Sequence, residues 1–403
     1  MIPLSEIREQ LDEIDSQIVR LYEKRMELCT EVGLTKIASG KKVYDKEREM
    51  QKLATLSQMA SNEFNQRGIT ELYEQLMAMS RKLQYQILTE HGVIGKTAFI
   101  GIDSLDKKGA RLVFQGVEGA YSQAALHSYF GEECDSFHVQ TFRDAMETLE
   151  DGLADYAVLP IENSSAGAVS QVYDLLVEFE NHIVGEIVLP IRHMLAGLPG
   201  TKIEEIECVY SHPQGLMQSA RFLDEHRNWQ QISVANTAIA AQKVLKEQKK
   251  TQAAVCSEYA AKIHHLEILK EGINDNSNNS TRFIIVSNQK VYLKQAGKIS
   301  ICFEIPHESG SLYHILSHFI YNNLNMTKIE SRPIEGRTWE YRFFVDFEGN
   351  LNDAAVKMPS VASGKKREIS RYLETIKVRR LRGDISGVDF FVRYQKEYKC
   401  NKK

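Results

Sequence analysis

The segment NSNNSTRFIIV, residues 276–286, places a polar loop directly before a run of four apolar residues. Asn and Ser favour turns because their side chains hydrogen-bond to nearby backbone, whereas residues 283–286 have the composition of a buried strand. Thr281 and Arg282 stand at the junction. A hydroxyl donor and a fixed cation are therefore placed where a loop meets the core. A polar turn that ends where the core begins is the plain alternative, and this segment alone leaves both open.

Three segments with different periodicity follow one another along the 403 residues. Residues 1–90 repeat apolar positions at intervals of three and four, which predicts an all-α helical domain. Residues 91–110 lose that period and are predicted to be a linker. In 111–290, short apolar runs alternate with helical stretches, as in an α/β domain with a largely parallel sheet. Residues 297–385 have the order βαββαβ of a ferredoxin-like α+β domain, and 386–403 form a tail.

Composition narrows the possible partners. The net charge is −4, whereas a nucleic-acid binder carries a strongly basic surface. No apolar run approaches the roughly 18 residues that a membrane span needs, and the N-terminus lacks the pattern of a secretory signal. We therefore expect a cytoplasmic protein without nucleic-acid or membrane partners.

Metal and nucleotide sites are not indicated by the sequence. The six cysteines include no CxxC pair and the 12 histidines no HExxH spacing, so we expect reduced thiols and no metal. The glycines of FQGVEGAYSQAA (114–125) spell GxxG, not the GxGxxG or GxxxxGK[ST] of nucleotide-binding loops. We expect no cofactor.

Cations interrupt the apolar face of the first predicted helix. Beyond Leu21 that face continues with Arg25, Leu28, Val32 and Lys36. Because an unpaired buried cation is strongly unfavourable, an anion must normally meet it there. Internal salt bridges with snorkelling stems are the alternative. Several converging cations with few carboxylates nearby instead favour a pocket for a small polyanion.

Further polar residues accompany these cations. Ser80 and Gln84 fall on or beside the apolar face of the third helix, and YDKERE (44–49) can place three charged side chains on one helical turn. Taken together, the segment resembles the all-helical chorismate mutases, which are intertwined dimers of three-helix chains. The positions that match that family's motif are Arg8, Arg25, Lys36, Asp45, Arg48, Glu49, Ser80 and Gln84.

This resemblance implies a pericyclic rearrangement of chorismate to prephenate. Such a step needs no nucleophile, so catalysis comes from holding a compact conformer and stabilising charge that develops in the transition state. By the family's pattern, Lys36 and Gln84 face the ether oxygen and Glu49 accepts from the substrate hydroxyl. Arg25, and Arg8 from the partner chain, bind carboxylates. The supporting residues are Asp45, Arg48 and Ser80.

Polar loops follow several predicted strands of the middle segment. They are VLPIENSSAGAV (158–169), YSHPQGLMQ (210–218), VANTAIAA (234–241) and the loop before STRFIIV. Each alone is more often a capping or turn motif. Four of them at strand ends in one α/β domain indicate a cleft, where backbone N–H groups and hydroxyls can receive an anion.

These loops resemble prephenate dehydratase across 111–290, a family with two α/β lobes like those of periplasmic solute-binding proteins. Its reaction expels the ring hydroxyl and CO2 from prephenate to give phenylpyruvate, so one positioned donor suffices. The resemblance makes Thr281 that donor, acting in a desolvated cleft, and Arg282 the holder of the loop or of a carboxylate. The substrate-binding set that it implies is Glu162, Asn163, Ser164, Ser211, Gln218 and Arg282.

HESGSLYHIL (307–316) and IESRPIEG (329–336) resemble the two signatures of ACT domains. In dehydratases these domains bind phenylalanine at a subunit interface and inhibit the enzyme. Ser311 replaces the usual alanine, and KMPSVASGKKREIS (357–370) resembles an insertion. A plain strand–turn–helix is the alternative. The implied phenylalanine-binding residues are Gly310, Ser311, Leu312, Glu330, Ser331 and Arg332.

We therefore expect a bifunctional enzyme of phenylalanine biosynthesis, with chorismate and prephenate as substrates and L-phenylalanine as inhibitor. We expect a homodimer or a higher homo-oligomer. A relative with one degenerate site or a preference for arogenate stays possible at this stage. So does a non-catalytic amino-acid sensor, although the full set of mutase positions argues against it.

Overall fold

The computed structural model describes residues 2–39, 41, 43, 45–91, 99–305, 307, 310–321, 323–351, 370–376 and 378–379. The predicted tail, and most of the predicted insertion, lie outside the described residues. The described residues form two compact units. One contains the three N-terminal helices and the helix Ser311–Tyr321, and the other contains all the strands with the remaining helices.

Three helices build the N-terminal region: α1 (Leu4–Ser39), α2 (Lys46–Gln58) and α3 (Glu63–Glu90). The carboxylate of Asp45 caps α2 by accepting from the backbone N–H of Arg48 at 3.2 Å, which satisfies one of the free donors of the first turn. Close approach of α1 and α3 occurs at Gly33, where an added Cβ would lie 3.2 Å from Ile87 Cδ1. The predicted all-helical N-terminal region is confirmed.

The apolar face of α1 is left largely uncovered in the single chain. Leu11, Ile14 and Ile18 are 52%, 51% and 56% exposed. A soluble monomer seldom exposes so long an apolar stripe, because its contact with water is unfavourable. The predicted apolar repeat thus forms a helix, but the described residues of its own unit leave much of the apolar face exposed.

The second unit is built mainly from strands and short helices, whose bounds follow. The strands are β1 (Ile100–Ile102), β2 (Arg111–Gln115), β3 (Asp135–Val139), β4 (Tyr156–Asn163), β5 (Gly167–Ala168), β6 (His182–Pro190), β7 (Met194–Gly197), β8 (Cys208–Ser211), β9 (Gln230–Ser233), β10 (Gln252–Cys256), β11 (Glu267–Lys270), β12 (Ser280–Ser287), β13 (Val291–Leu293), β14 (Lys298–Glu304), β15 (Met326–Pro333), β16 (Tyr341–Glu348), β17 (Ser370–Ile376) and β18 (Val378–Arg379). The helices after α3, including the one in the first unit, are α4 (Tyr121–Phe130), α5 (Phe142–Glu150), α6 (Ser170–Glu178), α7 (Pro213–Met217), α8 (Ala220–Asp224), α9 (Thr237–Glu247), α10 (Glu258–Ile263) and α11 (Ser311–Tyr321).

Two mixed sheets form the α/β region. The first has the order β18-β6-β12-β4-β2-β3, with β5 on β4, and the second has the order β11-β7-β10-β8-β9. The prediction of a largely parallel sheet is wrong. β12 runs antiparallel to both β4 and β6, and β7 runs antiparallel to β10 and β11. The reason is that β12 returns from the second sheet and enters between β4 and β6 from the opposite end.

Part of the segment predicted to be a linker is a strand. β1 pairs in parallel with β13, with Ile100 opposite Val291. A strand of three residues is too short to show a period of two, so the sequence gives little signal for it. The later strands form a separate antiparallel sheet of order β15-β16-β14-β17.

One hydrophobic core joins the first α/β sheet to the later antiparallel sheet. Tyr173 of α6 packs edge-on against Phe344 of β16, with ring centroids 4.8 Å apart. Phe344 and Cys302 share this buried cluster with Val113 and Ile284. Burying this common apolar surface fixes the two sheets against each other. Among the described residues, no helix has the length and apolarity to cross a membrane.

Candidate active sites

Three predicted mutase residues, Arg25 of α1 with Ser80 and Gln84 of α3, lie along one helix interface. The Arg25 guanidinium donates to the backbone oxygen of Leu76 at 3.0 Å and forms a short hydrogen bond to Ser80 Oγ. One turn of α3 further on, Gln84 is only 6% exposed, and an added Cβ at Gly33 would lie 3.4 Å from its Cγ. Arg25, Ser80 and Gln84 therefore lie on facing sides of the same two helices.

Lys36 continues this arrangement at the end of α1. Its ammonium group is partly buried and donates to the backbone oxygen of Val43 at 2.6 Å. Burial lowers the pKa of Lys36, while Asp45 and Glu49 act in the opposite direction. The ammonium is thus partly desolvated, and an anion placed beside it would interact more strongly than in bulk water.

Gln84 and Glu49 differ in how well they are satisfied. The buried Oε1 atom of Gln84 has no hydrogen-bond partner within the described part of the chain. Glu49 instead forms a short ion pair with Arg81, a residue that the sequence analysis did not select. Arg81 follows Ser80 directly on α3. Its pairing could have been anticipated only from the way α2 packs on α3.

The remaining mutase residues are exposed, and of these Asp45 and Arg48 lie near enough to Lys36 to act on its pKa. Arg48 and Asp45 are exposed at the start of α2, where Asp45 acts as the cap. Arg8 is exposed near the start of α1. At about 1.5 Å per residue, Arg8 and Arg25 are separated by roughly 26 Å along the helix axis. One chain alone does not bring Arg8 to the other predicted mutase residues.

In the dehydratase region, Asn163 connects the polar loops to Thr281. Asn163 Oδ1 accepts from the backbone N–H groups of Ser165 and Ala166, both at 2.9 Å. Its Nδ2 donates to Thr281 Oγ1 and to Asn279 Oδ1, again at 2.9 Å. Because Thr281 accepts this bond, its own hydroxyl hydrogen is left to donate elsewhere. Thr281 is 8% exposed, so a donor is held in a largely dry position.

Ser164 ties the same loops together. Its backbone N–H donates to Ser280 O at 2.9 Å, and its Oγ accepts from Ser280 N at 3.0 Å. Thr281 itself lies opposite Asn163 in the pairing of β12 with β4. The predicted residues Asn163, Ser164 and Thr281 are thus brought together by strand pairing.

A buried histidine holds Gln218, another predicted residue. His193 Nε2 lies 3.0 Å from Gln218 Oε1, and its Nδ1 lies 3.2 Å from the Tyr121 hydroxyl. Burial lowers the pKa of His193, so the ring is neutral and fixed by partners on both nitrogens. Ser211 is fully buried and donates to Val255 O at 2.7 Å. Neither His193 nor Tyr121 was selected from the sequence, because a lone His or Tyr carries no motif.

Arg282 lies in a buried cluster of carboxylates. Its guanidinium is 2.8 Å from Asp346 of β16, 3.2 Å from Glu162 of β4 and 3.5 Å from Glu186 of β6. Lys298 of β14 lies 3.6 Å from Glu186. Lys328 of β15 lies 2.6 Å from Glu162. The charges of Arg282 and Glu162 are therefore already paired within the chain, which favours the loop-holding role over a direct substrate contact.

The electrostatics of this cluster follow from its burial. Burial disfavours the charged guanidinium, yet Asp346 and Glu186 raise the pKa of Arg282 above its ordinary value. Burial would also raise the pKa of Asp346, but Arg282 and Lys298 hold that pKa below its usual range. The Arg282–Asp346 pair is thus fully ionised in a low-dielectric region, where each charge depends on the other.

The predicted phenylalanine-binding residues lie on two elements. Gly310 has a φ of +81° and precedes Ser311 and Leu312 at the start of α11. Positive φ values are strained for residues with a Cβ, so glycine suits this turn. On β15, Glu330, Ser331 and Arg332 alternate in exposure. In addition, Arg332 binds Asp174 of α6 through two nitrogens, at 3.1 and 2.6 Å.

Comparisons with known proteins give the family. Residues 7–85 match the model of chorismate mutase type II, and residues 112–291 match that of prephenate dehydratase. The bifunctional chorismate mutase/prephenate dehydratase of Escherichia coli K12 is 31% identical over 93% of this chain and 95% of the relative. The chain belongs to the bifunctional chorismate mutase/prephenate dehydratase family.

Two solved structures resemble about two thirds of the chain. Prephenate dehydratase from Arthrobacter aurescens, in complex with L-Phe, has a TM-score of 0.61 at 28% identity, covering 66% of this chain and 89% of that chain. GqqA, described as a quorum quenching acylase, has a TM-score of 0.59 at 29% identity, covering 67% of this chain and 98% of that chain. Among the described residues, no group of three or more His, Cys, Asp or Glu could hold a metal ion.

Breaking the Arg282–Asp346 pair is expected to destabilise the second unit. Asp346→Asn leaves Arg282 with incomplete compensation in a buried position, which we expect to lower the free energy of unfolding by about 2–4 kcal/mol. Both tryptophans, Trp229 and Trp339, lie in the second unit, so urea unfolding followed by their fluorescence reports on it alone.

The matched control is Asp174→Asn, which breaks the Arg332 pair. The two side chains of that pair are 25% and 49% exposed, so the loss is expected to stay below about 1 kcal/mol. Equal losses in the two variants would show that the buried pair contributes no more than a surface one.

Proposed function

We propose that the helical region rearranges chorismate to prephenate and that the α/β region converts prephenate to phenylpyruvate. The observation that carries the first step is that Arg25 of α1 faces Ser80 and Gln84 of α3. The partly desolvated ammonium of Lys36 lies on the same helix as Arg25. The observation that carries the second is the hydroxyl of Thr281, whose oxygen accepts from Asn163 and whose hydrogen stays available.

In the mutase step, the protein binds and orients but exchanges no proton. Arg25 binds a carboxylate of chorismate, and Lys36 with Gln84 face the ether oxygen. As the carbon–oxygen bond breaks and a carbon–carbon bond forms, negative charge grows on that oxygen. The charge of Lys36 is worth most at this point because the group is partly shielded from water. Glu49, Asp45, Arg48 and Ser80 hold these groups and the substrate hydroxyl.

In the dehydratase step, Thr281 donates its proton to the ring hydroxyl, which leaves as water. The bond between the ring and its carboxylate breaks at the same time and releases CO2. The electron pair of that bond enters the ring, which becomes aromatic as the water leaves. Thr281 then regains a proton from solvent. Thr281 is a poor acid, but its position is fixed, and the hydrogen bond from Asn163 Nδ2 would stabilise the charge left on Oγ1. Glu162, Asn163, Ser164, Ser211, Gln218 and Arg282 position the substrate or the loops around it.

We further propose the boundaries 1–90, 111–290 and 297–385 for the mutase, dehydratase and ACT domains. The two mixed sheets would form the two lobes of a periplasmic-binding-protein-like dehydratase, with the cleft at the polar loops. In chain order, the strands of the last sheet are arranged 2-3-1-4, which is the order of a ferredoxin-like sandwich and supports an ACT domain. Its predicted second helix lies outside the described residues.

We propose that the active form is a homodimer or a higher homo-oligomer. Two observations support it: the exposed apolar stripe of α1, and the distance along α1 that separates Arg8 from Arg25. In an isologous dimer each chain can cover the stripe of the other and supply Arg8 to its site.

We propose L-phenylalanine as the feedback inhibitor. Gly310 permits the turn of positive φ before α11. On β15, Glu330 and Arg332 carry opposite charges, which suits a free amino acid, whose ammonium and carboxylate need opposite partners. The Arthrobacter aurescens dehydratase was solved in complex with L-Phe, which supports the same effector here.

Mutase sites shared between chains can be tested by complementation. Lys36→Ala and Arg8→Ala are each expected to abolish mutase turnover, while their dehydratase rates stay normal. Mixed and exchanged in equal amounts, the two variants should regain about a quarter of the wild-type rate, because half the dimers then hold one intact site of two. No recovery in proven heterodimers would contradict a shared site, and near-normal rates in Lys36→Ala alone would contradict its role.

The role of Thr281 can be tested with a variant of similar shape. Thr281→Val removes the donor and is expected to lower the dehydratase kcat by about 10²–10⁴-fold. Ser280→Ala removes the neighbouring hydroxyl and should leave the rate near normal. The mutase rate of each preparation reports on the first unit, and tryptophan fluorescence shows whether the second unit is folded. Undiminished turnover in Thr281→Val would exclude this donor.

The proposed inhibition can be tested by adding phenylalanine and by a substitution at Gly310. Millimolar L-phenylalanine is expected to lower the dehydratase rate and to give a binding signal in calorimetry, whereas D-phenylalanine should do neither. Gly310→Ala strains the turn and should weaken both effects. Full activity in L-phenylalanine without binding heat would show that this chain lacks the inhibition.

A further inference from the structure

A buried donor without an acceptor lies beside the predicted dehydratase residues. Asn279 is 2% exposed. Its Oδ1 accepts from Asn163 Nδ2 at 2.9 Å. Its own Nδ2 is buried and has no hydrogen-bond partner within the described part of the chain. Buried polar groups are nearly always paired, so this exception needs an explanation.

The orientation of the Asn279 amide is fixed by its neighbours. Two backbone N–H groups, from Ser165 and Ala166, both point at Asn163 Oδ1. The NH2 group of Asn163 must therefore face Asn279. If the Asn279 amide were turned over, two NH2 groups would face each other without an acceptor. The hydrogen bonds of Asn163 therefore require the unpaired atom of Asn279 to be the Nδ2 donor.

This donor lies next to the chemistry. Asn163 Nδ2 binds both Asn279 Oδ1 and Thr281 Oγ1, so the Asn279 amide and the Thr281 hydroxyl share one nitrogen neighbour. The backbone of Asn279 is also held in place, because its oxygen accepts from Ile191 N at 2.9 Å. A rigid, desolvated donor at this position suits an anionic ligand.

We infer that Asn279 is a substrate-binding residue of the dehydratase site, and that its Nδ2 donates to an oxygen of prephenate. The inference rests on the proposed dehydratase function and adds a residue to it. Ser165 and Ala166 orient Asn163, Asn163 orients both Asn279 and Thr281, and these two present their hydrogens to the substrate. The unpaired donor of the free chain is then satisfied when substrate binds.

Two substitutions at one position separate binding from structure. Asn279→Asp keeps an oxygen for Asn163 but replaces the donor with a negative charge, whereas Asn279→Ala removes both. A purely structural role predicts that Asp is tolerated and Ala is not. The inference predicts that Asp raises the KM for prephenate at least as much as Ala, by about 10–100-fold, the range for lost hydrogen bonds to charged groups.

Controls remove the effects of charge and folding. Asn278→Asp places the same charge at the exposed neighbouring position and should leave the KM within about twofold, because surface charges act weakly. Tryptophan fluorescence of each variant reports whether the second unit is folded. A wild-type KM in a folded Asn279→Asp variant would overturn the inference.

Crystals of Thr281→Val soaked with prephenate give a test that needs no change at Asn279. A substrate oxygen within about 3.2 Å of Asn279 Nδ2 supports the inference, and a longer distance overturns it. Failure of the proposed donor looks different, because Thr281→Val would then turn over prephenate, while the KM comparison at position 279 could still be made in the wild-type background.

Discussion

The buried pairing of Arg282 with Asp346 is the interaction on which the second unit depends. Arg282 lies on β12 between β4 and β6, and its side chain is 13% exposed. A guanidinium in that position persists only with ionised partners. Glu162 and Glu186 come from the two neighbouring strands of its own sheet, but Asp346 comes from the later sheet. The charge of Arg282, in the first sheet, is therefore balanced in part by Asp346 of the later sheet.

Strand β12 carries this constraint to the site. Thr281 and Arg282 are adjacent, so their side chains point to opposite faces of the strand. Arg282 faces the charged cluster, whereas Thr281 meets Asn163. A shift of β12 by one residue would exchange the two faces and break both sets of contacts at once. The position of the Thr281 hydroxyl and the attachment of the later sheet are thus fixed by one strand register.

Elements with strong periodicity could be predicted from the sequence, and those decided by distant contacts could not. The heptad-like spacing of α1 and the apolar run of β12 give local signals. The direction of β12, by contrast, depends on the strands of the second sheet lying between β6 and β12 in the chain, which no local pattern records. Among site residues, Thr281 stands in a motif. Arg81, His193, Tyr121 and Asn279 became apparent only through their partners, because a single polar residue has no spacing to recognise.

The two proposed sites each bind an anionic substrate, but they do so with different kinds of side chain. In the proposed mutase site, cations would stabilise the developing anion, and the partial burial that lowers the pKa of Lys36 would strengthen its interaction with that anion. The dehydratase region places its strongest cation, Arg282, where carboxylates already neutralise it. Under the proposed function, prephenate would then be held by neutral donors: backbone N–H groups, hydroxyls and amides. Neutral donors work only when fixed in advance and shielded from water. The hydrogen bonds that run from the backbone of Ser165 through the Asn163 amide to the Asn279 amide and the Thr281 hydroxyl meet that requirement, because each group orients the next.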